Sequence, residues 1–114
     1  MDTTPTRIRL DLQTNRLAIE WGDGHASEYD GGYLRWICPC ATCRGHSPGE
    51  VEPPTWSMCE SVRVQHAAAV GAYALRHDYS DWHDNGIYSF DWLRERCPRD
   101  REDVDDTGIP IPHE

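Results

Sequence analysis

Trp21-Gly22-Asp23-Gly24-His25, followed by Tyr29, Tyr33-Leu34-Arg35 and Cys38, recurs in outline as Ser80-Asp81-Trp82-His83, Tyr88, Trp92-Leu93-Arg94 and Cys97. Asp23 and Asp81 are 58 residues apart and Arg35 and Arg94 are 59 apart, so one insertion reconciles the two copies. Each copy reads as a strand, a tight turn carrying Asp and His, a second strand, and a short aromatic-Leu-Arg helix leading to Cys. Duplication predicts a small α+β domain of antiparallel sheets and short helices, pseudo-symmetric, with two β-β-α units around one core. Chance recurrence of a common hairpin-plus-helix unit is the alternative.

The flanking sequence fills in the elements. Residues 7–12 (Arg-Ile-Arg-Leu-Asp-Leu) alternate apolar and polar, the period of a half-buried strand. Gln13-Thr14-Asn15 supplies a turn, and residues 17–21 continue as a strand. Gly22-Asp23-Gly24 is a hairpin signal, with a third strand over residues 25–29. Asp30 is placed to cap a helical turn through Trp36. Arg44 to Pro54 reads as a loop. Strands are expected over residues 61–65, 72–79 and 86–88. Ser89 is a good N-cap for a helix that Pro98 ends, and Asp91 suits its first turn. One domain spans residues 1–97. Residues 98–114 hold six acids, two arginines, Pro110 and Pro112, and are expected to form an acidic disordered tail.

Composition narrows the function. At 114 residues there is room for one core, and 38% hydrophobic content with five Trp makes a metal staple a useful addition. The net charge of −9 argues against nucleic acid, because the cluster Arg94, Arg96, Arg99 and Arg101 is interleaved with acids. No segment approaches the roughly 20 apolar residues of a membrane span, and no apolar leader is apparent. Five cysteines without a secretion signal favour reduced, metal-binding thiols in the cytoplasm over disulfides.

Cys38-Pro39-Cys40-Ala41-Thr42-Cys43 concentrates three thiols in six residues. Cys40 and Cys43 form a two-residue knuckle, and Cys38, held extended by Pro39, can reach the same ion from another side. Three thiolates and one neutral imidazole form a closed tetrahedral set, which Zn²⁺ prefers in structural sites. Reduced bystander cysteines are the simpler reading, though three adjacent thiols without metal invite oxidation. Spacing leaves the fourth ligand open. His83 sits in a tight turn, His46 in a nearby loop, and His25 at the duplicate of His83. Cys59 or Cys97 would complete an all-thiolate site suited to zinc or an iron–sulfur cluster. His66 and His77 read as ordinary strand histidines, and Cys59 and Cys97 as small packing residues.

Tyr33-Leu34-Arg35-Trp36-Ile37-Cys38-Pro39-Cys40-Ala41-Thr42-Cys43-Arg44-Gly45-His46, with His83-Asp84-Asn85-Gly86-Ile87-Tyr88-Ser89-Phe90-Asp91-Trp92-Leu93-Arg94, resembles the gamma-butyrobetaine hydroxylase-like N-terminal domain family. The resemblance spans residues 7–97 and is that of a stand-alone bacterial member. In the long carnitine-synthesis oxygenases this domain precedes a catalytic jelly roll and holds zinc through three Cys and one His. The resemblance therefore implies Cys38, Cys40, Cys43 and His83 as ligands. Stand-alone members often replace the knuckle cysteines, and this chain keeps all three. Fusion of the family to Mrp-type iron–sulfur carrier ATPases implies an association with cluster assembly, by architecture alone.

Catalysis is not expected. The oxygenase facial triad needs two His and a carboxylate, usually with His-x-Asp/Glu, and none of the six histidines has an acid two positions later. Three Cys and one His leave no open position for a hydrolytic zinc. The expected function is a non-catalytic zinc domain that docks a protein partner through aromatics such as Trp56 or Trp82. The alternative is a metal carrier or iron–sulfur assembly factor that holds iron on the cysteine knuckle. Trp21, Trp36, Trp92, Tyr29 and Tyr88 are expected to pack the core.

Overall fold

Alternation in Leu17-Ala18-Ile19-Glu20-Trp21 turns Leu17, Ile19 and Trp21 to one face of a strand, and all three are buried. The computed structural model describes residues 3–39, 55–81 and 86–111. β1 (Pro5–Asp11), β2 (Arg16–Trp21) and β3 (Ala26–Asp30) form an antiparallel sheet in that order, followed by α1 (Gly31–Trp36). A short helix, α2 (Trp56–Cys59), precedes β4 (Val64–Val70), β5 (Ala74–Tyr79) and β6 (Gly86–Ser89), the second sheet, again in sequential order. α3 (Phe90–Glu95) and a 3₁₀ turn (Pro98–Asp100) follow.

The two sheets are built alike. Pro5 pairs with Trp21 and Val64 with Tyr79, and each ladder carries an irregularity immediately after that pair. Asp30 and Ser89, 59 residues apart, both cap a helix: Asp30 accepts from the Gly32 amide at 3.0 Å and Ser89 from the Trp92 amide at 3.0 Å. Gly31 N donates to Asn15 O and Phe90 N to Tyr73 O, both at 2.8 Å, docking each helix start on the first turn of its own sheet.

Contacts between the units are reciprocal, the mark of a two-fold relation. Tyr29 Oη donates to Leu93 O at 2.6 Å, and Tyr88 Oη donates to Leu34 O at 2.5 Å. Tyr33 Oη donates to Arg96 O at 2.5 Å, and Trp92 Nε1 donates to Ile37 O at 3.0 Å. Arg35 Nε meets Asp81 at 2.8 Å, while Arg94 holds Asp23 through two bonds of 3.1 and 3.0 Å. Each helix thus has its terminal carbonyls satisfied by aromatic groups of the other unit. One buried cluster joins Leu17, Ile19, Tyr29 and Leu34 to Leu75, Tyr79, Tyr88 and Leu93. The repeat expected from the sequence is present, with a leading strand that makes each unit β-β-β-α.

Asn15 ties the halves together. Its backbone is left-handed (φ 58°), its Nδ2 donates to Val62 O at 3.0 Å, and its Oδ1 accepts from Val64 N at 2.9 Å. A side chain at Gly31 would come within 2.2 Å of Asn15 Oδ1, so glycine is required at that helix start.

Two expectations are corrected, and one helix is additional. The strand expected over residues 61–65 runs instead from Val64 to Val70, closed onto β5 by a turn with Gly71 at φ 57°. α2 was not anticipated. The expected disordered tail does not hold for residues 98–111. Pro98 and Val104 are buried, Thr107 O accepts from Asp30 N at 2.6 Å, and Val104 bridges to Pro110. Arg101 lies over the Tyr33 ring and pairs with Asp103 at 2.6 Å, and Gly108 (φ 104°) packs so closely that a Cβ would sit 2.3 Å from Tyr33. Among the described residues, no helix is long and apolar enough to cross a membrane.

Candidate metal centre

Each unit leads from its helix into a cysteine. Cys38 and Cys97 lie two residues beyond α1 and α3, and both are fully buried. Cys38 N donates to Arg35 O at 3.3 Å and Cys97 N to Arg94 O at 3.2 Å, so both are presented by the same helix-terminal turn. Among the described residues, no disulfide joins Cys38, Cys97 and the buried Cys59.

Of the expected ligands Cys38, Cys40, Cys43 and His83, only Cys38 lies among the described residues. His46 and Trp82 also lie outside them. Cys38 sits beside the Tyr79–Tyr88 hydroxyl pair, whose oxygens are 2.6 Å apart. Burial pushes the Tyr88 phenol well above its ordinary range, and neighbouring Tyr79 and Cys38 add to the shift. These phenols therefore stay neutral donors near the Cys38 sulfur.

The second unit shows its cysteine with a histidine. His25 Nε2 lies 3.2 Å from Cys97 Sγ, and Asp100 Oδ2 lies 3.8 Å from the same nitrogen. Ser27 Oγ contacts Cys97 Sγ at 3.0 Å and accepts from Trp21 Nε1 at 2.8 Å. The His25 amide donates to Asp23 at 3.1 Å, and Asp23 is in turn gripped by Arg94. By spacing, His25 and Cys97 are alternative fourth ligands of one site, and the fold brings the two together instead. Their shared signal was the repeat, which sets His25 against His83 and Cys97 against Cys38.

The other candidates are placed as follows. His66 is exposed on β4, and His77 is fully buried on β5. Burial lowers the His77 pKa to about 4 against a smaller opposing pull from Asp78, so the ring is neutral. Trp21, Tyr29 and Tyr88 are in the core as expected, with Trp36 and Trp92 partly buried beside it. Trp56 is not a free docking residue: it packs edge-on against Trp36 with centroids 5.6 Å apart.

Two reciprocal three-stranded meanders, each closed by a capped helix and a buried cysteine, define a small pseudo-symmetric α+β domain. The chain belongs to the gamma-butyrobetaine hydroxylase-like, N-terminal family, whose model matches residues 8–94. A crystal structure of a protein of unknown function from Acidithiobacillus ferrooxidans, of the DUF971 family, is 31% identical. That match covers 82% of this chain and 91% of the other, with a TM-score of 0.65. Two solution structures share the fold, at 26% identity (TM-score 0.61, covering 82% and 68%) and 24% identity (TM-score 0.66, covering 87% and 76%). No curated protein matches the chain.

Proposed function

We propose that this chain is a non-catalytic metal-binding module, in which Zn²⁺ held by Cys38, Cys40, Cys43 and His83 staples the domain and the folded surface docks a protein partner. The observation that supports this most is the 3.2 Å approach of His25 to Cys97. The shifts of 58 and 59 residues that relate the units turn that pair into His83 and Cys38, so the repeat favours a facing histidine and cysteine there too. Cys40 and Cys43 follow Cys38 in the knuckle and would complete a closed set of three sulfurs and one nitrogen. Such a set leaves no position for a substrate, which makes the metal's contribution stability. Tyr73 and Met58, 62% and 68% exposed, take the place of Trp56 as large side chains able to meet a partner.

The test is elemental analysis, a visible spectrum and thermal denaturation of protein isolated without added metal, for wild type and His83→Ala. Tightly held zinc, no colour, and loss of both metal and thermal stability in the variant are expected. Iron with visible absorption would instead overturn the zinc assignment and put the carrier reading first. Zinc retained unchanged without His83 would overturn the ligand set.

A further inference from the structure

We infer that His25, Cys97 and Asp100 form a second metal site, independent of the cysteine knuckle, that takes a borderline divalent ion such as Zn²⁺ or Co²⁺ and leaves one coordination position open. The three donor atoms, His25 Nε2, Cys97 Sγ and Asp100 Oδ2, lie within 4.8 Å of one another. A tetrahedral ion with bonds of roughly 2.0–2.3 Å sets neighbouring ligands roughly 3.3–3.8 Å apart. The separations of 3.2 Å from nitrogen to sulfur and 3.8 Å from nitrogen to carboxylate need only small adjustments to meet that shape.

A simple hydrogen-bonded cluster or a catalytic relay explains the arrangement less well. In a relay, thiol and carboxylate engage opposite nitrogens of the imidazole. Here both face Nε2, so the three donors converge on a common point. Ser27 adds a second indication. Its hydroxyl accepts from Trp21 Nε1 and donates to Cys97 Sγ, 3.0 Å away. The sulfur is thereby held as an acceptor, the role a thiolate ligand has, and Ser27 acts as its supporting outer partner. One thiolate and one carboxylate balance a divalent charge. Nearby Arg94 is charge-paired with Asp23, and the Arg99 guanidinium is turned to Ala26 O at 3.3 Å.

Access suits exchange. The Cys97 sulfur is buried, whereas the side chains of His25 and Asp100 are 25% and 53% exposed. The open position would therefore face solvent and accept water or an incoming donor atom. An ion here would also link the turn between β2 and β3 to the 3₁₀ turn after α3.

The site shares no residue with the Cys38 set, so the two can fail separately. Titration of metal-stripped, reduced full-length protein with Co²⁺ reads both, because thiolate-to-cobalt charge transfer reports sulfur ligation. Wild type is expected to take up about two Co²⁺ per chain with thiolate bands. Asp100→Asn and His25→Gln should each weaken the second equivalent about tenfold or more while the first is unchanged. Asp100 is at the surface, so its variant tests the site even if a buried change disturbs folding. Saturation of wild type at a single equivalent that His83→Ala abolishes would refute the second site and leave the proposed zinc staple standing. Identical titrations for wild type, Asp100→Asn and His25→Gln would also refute it. Loss of only the first equivalent in His83→Ala would support both.

Discussion

His77 offers a quantitative test of the packing. Its ring is fully buried, and neither nitrogen has a hydrogen-bond partner among the described residues. The adjacent phenols are committed elsewhere: Tyr79 Oη donates to Tyr88 Oη, which donates to Leu34 O. The ring instead meets Tyr88 edge-on, with centroids 4.7 Å apart. Through the repeat, the equivalent position is Ile19, so His77→Ile replaces an unpartnered polar ring with the side chain the other unit uses. Removing buried unsatisfied nitrogens is worth about 1–3 kcal/mol, against up to about 1 kcal/mol of packing mismatch. A net gain of about 1–2 kcal/mol at neutral pH is expected.

The pH dependence is sharper. The folded state holds His77 neutral with a pKa near 4, against 6.5 for an ordinary histidine. Between those values the unfolded chain binds the additional proton, so this residue's contribution is intact above pH 6.5 and lost as pH falls toward 4. At 1.36 kcal/mol per pKa unit, the loss is about 3 kcal/mol across the window. Urea denaturation followed by tryptophan fluorescence, in steps from pH 7 to pH 4, measures it in both proteins. Subtracting the two profiles cancels acid release of metal. The wild-type curve should fall below that of His77→Ile by the full amount. Parallel curves, or a variant weaker at every pH, would refute the assignment of His77 as a buried neutral ring.

Tyr29→Phe and Tyr88→Phe each leave one buried helix-end carbonyl, Leu93 O or Leu34 O, without its donor. Each should cost about 1–3 kcal/mol by chemical denaturation. Asn15→Ala removes the bonds to Val62 O and Val64 N and strains a left-handed residue, for a loss of about 3 kcal/mol. Asn15→Gly should recover only the backbone part. Deleting residues 98–114 uncovers Tyr33 and the Asp30 amide, and should lower stability by about 2 kcal/mol in the same assay. A disordered tail would leave it unchanged.

Most of the fold was legible because its signals are local. Alternation gave β2, Gly22-Asp23-Gly24 gave the β2–β3 turn, and Asp30 and Ser89 announced both helix starts. β4 was misplaced because Ala67-Ala68-Ala69 has neither alternation nor β-branched side chains, and pairing with β5 defines that strand. The order of residues 98–111 was hidden because composition reports solvation and not fit. Val104 and Gly108 find their places only against a folded α1. The His25–Cys97 pair is 72 residues apart in the chain, and only the repeat connects it.

The proposed staple is a zinc ion held by three sulfurs and one nitrogen. It is tested by zinc-edge X-ray absorption on the Asp100→Asn protein, loaded with one equivalent of zinc so that the proposed second site, weakened by the substitution, stays empty. A first shell of about three sulfurs near 2.3 Å and one nitrogen near 2.0–2.1 Å is expected. A shell of oxygen and nitrogen alone, or one with a single sulfur, would contradict it.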